Sequence, residues 1–214
     1  MQNDWNSIVL RGEIEEEPKP YCYNSKKKTT NYLVSIKVKT RGNRYSSIPV
    51  ILPESIEDIS SFSQGSKVFI KGILGTHRVY DEKLDKNRIR IMVKAFKAEI
   101  LSEFKPLNSV IIEGFLVSKM DLMKNRRGES TIIFLIASNN EDSSNYIRCS
   151  AEGERADFID KMNIGDRINI HGFIYKNLNR DEYLVKTFWL NGFDKAYRNK
   201  DGFLFGEEEG SSGN

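Results

Sequence analysis

The 214-residue sequence has little of the chemistry that enzymes use, since it contains only two histidines and two cysteines. Cys22 and Cys149 are far apart, and neither lies in a metal-ligand spacing. The phosphate-loop motif G-x-x-x-x-G-K-[ST] and the glycine-rich cofactor fingerprints are absent as well. These absences predict a protein that is not an enzyme and that holds no metal and no cofactor.

Long hydrophobic runs are also missing. No apolar segment approaches the roughly 20 residues that a membrane-spanning helix needs. The first residues, MQNDWNSIV, lack the basic stretch and apolar core of a secretory signal. Together with the two unpaired thiols, these features predict a cytoplasmic chain with no membrane segment.

The formal net charge is only +3, but its distribution is uneven. Residues 1–104 hold 18 Lys and Arg against 13 Asp and Glu, a net charge of +5. Residues 105–214 hold 15 against 17, a net charge of −2. This asymmetry predicts that the first half contributes more to binding a polyanion, although an ordinary solvated surface is the alternative.

Two decapeptides are nearly the same: residues 65–74 read GSKVFIKGIL and residues 165–174 read GDRINIHGFI. Asn6-Ser7-Ile8-x-x-x-Gly12 likewise recurs as Asn108-Ser109-Val110-x-x-x-Gly114. Landmarks in one order at a nearly constant offset predict two copies of one fold. We therefore expect an N-terminal domain over residues 1–104, a C-terminal domain over 105–195 and a disordered, acidic tail over 196–214.

Hydrophobic alternation in the first copy predicts three strands, a short helix and two more strands. The strands are expected near residues 8–14, 32–39, 45–52, 67–74 and 88–97, with the helix around 54–62. Five strands with one helix between the third and fourth is the order of an OB-fold, a small Greek-key barrel. The predicted fold class is all-β, with two tandem OB-folds, each a five-stranded barrel with one short helix between strands 3 and 4.

Two apolar features of the second copy also carry expectations. Residues 132–137, IIFLIA, are apolar on both faces, which predicts that another copy or chain covers one face. Phe188 and Trp189 are neighbours in the last strand, so alternation places one in the core and the other at a surface.

These landmarks resemble the bacterial single-stranded-DNA-binding protein superfamily. That family opens with N-x-[VI]-x-L-x-G, as at Asn6–Gly12, and has an I-P-V strand, as at Ile48–Val50, and a glycine-bounded strand, as at Gly65–Leu74. The tandem arrangement is similar to that of two-OB, PriB-like proteins. The resemblance implies binding of single-stranded DNA, a homodimer with four OB-folds, a nucleoid-associated location and partners such as a helicase or primase.

The end of the chain departs from that family. Its main replication proteins end in an acidic tail that closes on Asp-Asp-x-x-Pro-Phe, whereas this chain ends FLFGEEEGSSGN. The departure favours a PriB-like or element-encoded relative.

A binder of single strands needs cations for phosphates beside aromatic platforms for bases. On an OB-fold these lie on the middle strands and on the loops after strands one and four. The first copy offers Tyr21, Tyr23, Lys26, Lys27, Lys28, Lys37, Lys39, Arg41, Arg44, Tyr45, Phe69, Lys71, Arg78, Tyr80, Arg88 and Arg90. The second copy offers Arg126, Arg127, Tyr146, Arg148, Tyr175 and Lys176. We expect copy one to carry more of the DNA binding and copy two more of the assembly.

Some of these residues have plainer interpretations. Lys26–Lys28 are also consistent with a solubilising loop tip, Tyr21 and Tyr23 with side chains folded back on the barrel, and Phe69 with a partner subunit. His77 is better explained as an ordinary loop residue. For the whole chain, the function we predict is sequence-tolerant binding of single-stranded DNA in replication or replication restart. The alternatives are an OB-fold scaffold that binds proteins in a replication or mobile-element complex, and a single-stranded RNA binder.

Overall fold

The computed structural model describes residues 4–24, 29–56, 59–81, 85–140, 143–178 and 180–193. The first copy contains β1 (Asn6–Ile14), β2 (Lys19–Asn24), β3 (Thr29–Lys39), β4 (Tyr45–Pro53), β5 (Lys67–Asp81) and β6 (Lys86–Ile100). The second copy contains β7 (Leu107–Lys119), β8 (Met123–Lys124), β9 (Ser130–Asn139), β10 (Ser144–Glu152), α1 (Glu154–Lys161), β11 (Arg167–Asn177) and β12 (Glu182–Phe193).

Five strands of each copy close into a barrel. In copy one, β1 pairs with β3 and β5, β3 pairs with β4, and β4 runs parallel to β6, which returns to β5. Strands β7, β9, β10, β12 and β11 repeat this circuit, including the parallel pairing of β10 with β12. Each barrel is the five-stranded Greek key of an OB-fold, so the predicted fold class is confirmed.

Apolar side chains at alternate positions of the predicted strands fill the first barrel. Ile8, Leu10, Val34 and Ile36 are almost fully buried, and the strands that carry them alternate between buried and more exposed positions. The alternation in β9 is equally regular, because Ile132, Phe134 and Ile136 point into the second barrel. The outward residues of the same apolar run, at 133 and 135, are partly buried.

The first strands join the two barrels. Strands β1 and β7 pair antiparallel, with Ile8 opposite Val110 and Asn6 opposite Ile112. Ile8 and Val110 occupy the same position in their respective copies, so an approximate two-fold axis passes between them. The pairing makes β6-β5-β1-β7-β11-β12 a continuous run of six strands within one larger sheet.

Close backbone crossings explain the repeated decapeptide, which forms strand 4 of each barrel. Gly65 and Gly165 lead into the strand with φ of 83° and 92°, in the left-handed region that favours glycine. Gly72 and Gly172 each follow a shift in register, and a Cβ at either position would collide with a backbone carbonyl oxygen of strand 5. The two copies therefore need glycine at the same places.

The repeated asparagine has a structural cause as well. Asn6 Nδ2 donates to the Leu74 carbonyl oxygen at 2.8 Å, and the Leu74 amide donates to Asn6 Oδ1 at 2.9 Å. Asn108 exchanges the same two hydrogen bonds with Ile174, at 2.8 and 3.1 Å. Each side-chain amide thus acts as an additional strand residue that holds strand 4 against the start of strand 1.

The connection between strands 3 and 4 differs between the copies. Copy two has the α-helix α1, whose C-terminal carbonyl groups accept hydrogen bonds from Lys119 Nζ, among them Met162 O at 2.8 Å. In copy one, the described part of this connection holds a 3-10 turn at Ile59–Ser61, followed by the buried Phe62. Residues 57–58 of the predicted helix lie outside the described residues.

Much of the chain predicted as loop is paired strand. Strand β2, after strand 1, pairs with β3. The β5–β6 hairpin stays paired out to Asp81 and Lys86, whereas the β11–β12 hairpin ends at Asn177 and Glu182. The second hairpin is the shorter one, because β11 has 11 residues and β5 has 15. No helix among the described residues has the length and apolar character needed to cross a membrane.

Candidate nucleic-acid interface

Cations lie beside aromatic rings on the outer side of copy one. Lys37 Nζ is 5.5 Å from the Tyr45 ring centroid, and Arg11 Cζ is 5.7 Å from that of Phe69. Lys97 Nζ is 5.9 Å from the Phe69 centroid, and Lys71 Nζ is 5.9 Å from that of Phe96. Such distances allow attraction between the cation and the ring. We name this surface the basic aromatic face, formed by Arg11, Lys37, Lys39, Tyr45, Phe69, Lys71, Phe96 and Lys97.

Arg11 lies at the centre of this face because of the strand order. It is directly opposite Phe69 on β5, while β1 pairs on its other edge with β3, which carries Lys37. Two shallow depressions meet at Arg11 and Phe104. One reaches Lys37, Lys39 and Tyr45, and the other reaches Phe69, Lys97 and Glu99. The face therefore runs without a break across five strands.

Two of the three rings on this face are exposed enough for stacking, whereas Phe69 is half-buried. Tyr45 is 53% exposed and Phe96 is 56% exposed. Phe96 points outward because Lys71 pairs with Lys97 while Gly72 pairs with Ala95, which leaves Phe96 as the extra residue of a bulge. A bulge at the end of strand 5 thus displays an aromatic ring beside two lysines.

Positive charge exceeds negative charge on this face. Among the residues that the structure describes, Lys37, Lys39 and Lys71 have no carboxylate within ion-pair distance, whereas Lys97 Nζ lies 2.6 Å from Glu99. Two other carboxylates line the depressions: Glu13 lies in the one that reaches Lys37, and Glu103 lies in the one that reaches Phe69 and also Lys105. The arrangement offers several cations to an anionic ligand.

The second copy repeats the bulge but not the charge. Phe188 is the extra residue there, and both Phe188 and Trp189 are exposed, at 54% and 46%. The expectation that one of them faces the core was wrong, because a bulge breaks the alternation of a strand. Trp189 takes the position of Lys97, and its ring centroid lies 4.6 Å from that of His171, which takes the position of Lys71.

The cation of this second surface is neutralised. Glu113 takes the position that Arg11 has in copy one, and Arg167 lies 2.6 Å from Glu113 and 3.3 Å from Asp4. Arg167 also packs over Phe115. The copy-two surface is therefore aromatic without being basic.

Two of the predicted residues, Arg90 and Lys176, meet where the hairpins of the two copies approach each other. Asp181 lies 2.8 Å from Lys176 and 3.5 Å from Arg90, and Lys176 Nζ is 6.0 Å from the ring centroid of Tyr183. The Lys176 amide donates to Ser46 Oγ at 3.3 Å, beside Tyr45 of the basic aromatic face. We name Arg90, Lys176, Asp181 and Tyr183 the hairpin cluster.

Other predicted residues of copy two already have structural partners. Arg148 pairs with Glu182, and the Tyr175 hydroxyl lies 3.2 Å from Ser150 Oγ. Burial raises the pKa of Tyr175. Tyr146 is 47% exposed, and Arg126 and Arg127 are exposed in the turn between β8 and β9.

The remaining predicted residues of copy one are dispersed. The rings of Tyr21 and His77 meet edge to face at 6.3 Å, which supports the alternative that Tyr21 folds back on the barrel. Burial raises the pKa of Tyr21.

The Tyr80 hydroxyl donates to Asp85. Arg41 and Arg44 are exposed between β3 and β4, and Tyr23, Arg78 and Arg88 belong to β2, β5 and β6. Lys26, Lys27 and Lys28 lie outside the described residues.

Sequence reasoning missed three residues of the basic aromatic face: Arg11, Phe96 and Lys97. A signal for two of them was present, because Val93–Lys97 reads VKAFK and Val185–Trp189 reads VKTFW. This repeat marks the bulge in both copies. Among the described residues, no group of three or more His, Cys, Asp or Glu side chains is placed to hold a metal ion.

Comparisons with known proteins agree with the tandem OB arrangement. No family model matches the sequence, and no curated protein matches it. The structure is similar to that of the wild-type single-stranded DNA binding protein from Thermus aquaticus, with a TM-score of 0.73 and 16% identity over 91% of this chain and 95% of that chain. A deletion mutant of the same Thermus protein gives a TM-score of 0.71 and 16% identity over 94% of this chain and 100% of that chain.

A third similarity is much weaker. The N-terminal domain of PriB protein from Thermoanaerobacter tencongensis gives a TM-score of 0.38 and 14% identity over 46% of this chain and 98% of that chain. The likeness to the Thermus protein extends over both barrels, and it establishes that the two chains share a fold. This likeness in fold to the Thermus protein agrees with the resemblance noted in the sequence.

Proposed function

We propose that this chain is a non-enzymatic, sequence-tolerant single-stranded-DNA-binding protein that acts in replication or replication restart. The basic aromatic face is the observation that carries the proposal. It combines three aromatic rings, two of them exposed, with cations at 5.5 to 5.9 Å from the ring centroids. The described function of the Thermus aquaticus protein with the same fold, single-stranded DNA binding, supports it.

The proposed mechanism uses both the phosphate groups and the exposed base faces of a single strand. Lys37, Lys39, Lys71 and Arg11 bind phosphates and displace counterions from the strand, so affinity falls as salt rises. Tyr45 and the face's phenylalanines stack bases, which stabilises the complex by about 1–3 kcal/mol per base. Neither contact reads the identity of a base. Duplex DNA hides its base faces and gains only the phosphate contacts.

Binding measurements test this proposal directly. We expect the chain to bind labelled oligo(dT) of about 35 nucleotides, longer than the 4–16 nucleotides that one OB-fold covers, more tightly than a duplex of equal length. In fluorescence anisotropy, affinity should fall steeply between about 50 and 200 mM salt. Equal affinity for duplex and single strand would instead favour the protein-binding scaffold. Equal affinity for oligo(U) would extend the function to RNA.

A double variant, Lys37→Ala with Tyr45→Ala, tests whether the face is the binding surface. It removes one phosphate contact and one stacking platform, so we expect affinity to fall roughly tenfold or more. Lys161→Ala, which removes an exposed lysine at the end of α1, is the matched control. A loss of equal size in the control would remove the face from the proposal.

We also propose that the chain forms a homodimer with four OB-folds through the copy-two part of the six-stranded sheet. Phe188 and Trp189 are exposed there, on a surface whose arginine is already paired. Exposed aromatic groups with few free charges are typical of protein contacts. Light scattering should give twice the chain mass for the parent and one chain mass for Phe188→Ala with Trp189→Ala. A monomeric parent would overturn the homodimer but not the DNA binding.

A helicase or primase partner stays a prediction of the sequence resemblance.

A further inference from the structure

We propose that Arg90 of copy one and Lys176 of copy two form a phosphate-binding position that spans the two OB-folds, and that the Asp181 carboxylate occupies it in the free protein. The inference rests on the proposed binding of single-stranded DNA. It adds a specific contact for one phosphate group and a built-in competitor for that contact.

The geometry of Asp181 carries the inference. One oxygen of its carboxylate lies 2.8 Å from Lys176 Nζ, and the other lies 3.5 Å from Arg90 Nη2. Arg90 belongs to strand 5 of the first barrel, whereas Lys176 belongs to strand 4 of the second. A carboxylate and a phosphate present similar oxygen pairs to such cations, so a phosphate can take the same place.

The position lies on a route between the two copies. The Lys176 amide is bonded to Ser46 Oγ at 3.3 Å, and Ser46 follows Tyr45 of the basic aromatic face. The Tyr183 ring, 6.0 Å from Lys176 Nζ, provides an aromatic surface beside the position. A strand that leaves the basic aromatic face at Tyr45 and continues onto copy two therefore meets this pair of cations.

The acid can be displaced easily. The Asp181 side chain is 50% exposed, and those of Arg90 and Lys176 are each 33% exposed. Ion pairs between side chains this exposed are weak and are screened by salt. The next residue, Glu182, pairs with Arg148, so the tip of this hairpin shields three of the predicted cations. The free protein thus presents less positive charge here than its sequence indicates.

The experiment compares Asp181→Asn with Asp85→Asn by anisotropy with labelled oligo(dT). Both residues lie at hairpin tips with φ of 47°, which asparagine also tolerates, and both changes remove one negative charge. Asp85 accepts a hydrogen bond from the Tyr80 hydroxyl instead of binding the two cations. We expect Asp181→Asn to bind about 3- to 10-fold more tightly than the parent at low salt, and Asp85→Asn to change affinity less. The gain should shrink as salt rises.

A mutant cycle then tests whether the gain depends on this pair of cations. The gain from Asp181→Asn should disappear when Arg90→Ala and Lys176→Ala are already present, because no position is left to vacate. Equal affinities for the Asp181 and Asp85 variants would overturn the inference, as would a gain that persists without the two cations. A parent that shows no preference for single strands would instead overturn the proposed function itself. Thermal unfolding of each variant checks that it is folded.

Discussion

Ile8 of β1 lies directly opposite Val110 of β7, and the two residues are equivalent positions of the two copies. Contacts between the barrels follow the same approximate two-fold symmetry. The Thr76 amide of copy one bonds to Asn145 of copy two, and the Lys176 amide of copy two bonds to Ser46 of copy one. Each strand 4 therefore docks on strand 3 of the other copy. The two barrels of one chain are thus arranged like the subunits of a symmetric dimer. Because each barrel has its own sequence, their surface charges can differ.

The paired hydrogen bonds of Asn6 and Asn108 should be important for stability. Asn6→Ala removes both bonds to Leu74 and leaves the amide and carbonyl groups of a buried residue without these partners. We expect each single variant to lower the free energy of unfolding by about 1–3 kcal/mol, measured by urea denaturation. Asn163→Ala, at an exposed position after α1, is the control. An Asn6 variant as stable as the control would contradict this role.

Gly72 and Gly172, which lie at the register shifts opposite the two bulges, should tolerate no side chain. In Gly72→Ala the new Cβ would meet the Lys94 carbonyl oxygen, which belongs to the backbone and cannot move aside easily. Overpacking of this kind costs at least about 1–3 kcal/mol, and we expect a matching loss in the free energy of unfolding. Gly42→Asn is the contrast, because φ there is 61° and no atom lies within 4 Å of the place that a Cβ would take. A small effect of Gly72→Ala would show that the barrel can relax.

Periodicity predicted the barrel strands because each alternates between core and surface, as Ile8 and Leu10 do. It could not predict pairing between the copies, since the partners of β1 are set by contacts far apart in sequence. It failed at Phe188 and Trp189 because one extra residue reverses the faces of a strand. It also missed Arg11, which belongs to the candidate site only because β1 lies between β3 and β5. Site residues depend on such neighbours, whereas core residues depend on local pattern.

Lys119 should stabilise the fold, because its ammonium group donates hydrogen bonds to the carbonyl groups at the C-terminal end of α1. Lys119→Met keeps most of the aliphatic stem and removes the donors and the charge. We expect unfolding to become easier by about 1–2 kcal/mol, with single-strand affinity unchanged. Lys105→Met, at an exposed position between the barrels, controls for the loss of one lysine charge in the unfolding experiment. A loss of DNA affinity without a loss of stability would assign Lys119 to the interface instead.

His77 should make stability depend on pH. Burial, aided by the charge of Lys94, lowers the pKa of His77, and its Nε2 atom is buried with no partner among the described residues. The unfolded chain therefore takes up the proton more readily. Stability should fall as pH drops below about 6.5, until the folded pKa is passed. We expect His77→Gln to flatten this part of the curve in urea titrations between about pH 5 and 8. If the curves of unfolding free energy against pH were parallel for parent and variant, His77 would not be the cause of the pH dependence.

The two thiols should differ in reactivity. Cys149 is fully buried in the second barrel, where burial raises its pKa, whereas Cys22 is exposed on β2. Because the thiolate is the reactive form, an aromatic disulfide reagent should titrate one thiol in the folded protein and both in urea. Cys22→Ser should abolish the fast reaction in the folded state. Two fast thiols in the folded parent would mean that the second barrel opens readily.

The fast thiol also reports whether single-stranded DNA reaches β2. Cys22 follows Tyr21 in the predicted site, and its sulfur accepts a hydrogen bond from Asn31 Nδ2 at 3.4 Å. A strand bound along β2 should cover the sulfur, so saturating oligo(dT) should slow labelling of Cys22 several-fold, while a duplex at equal concentration should not. Labelling in urea, where the chain is unfolded, controls for effects of DNA on the reagent. An unchanged rate with tight binding would confine the DNA to the basic aromatic face and the hairpin cluster.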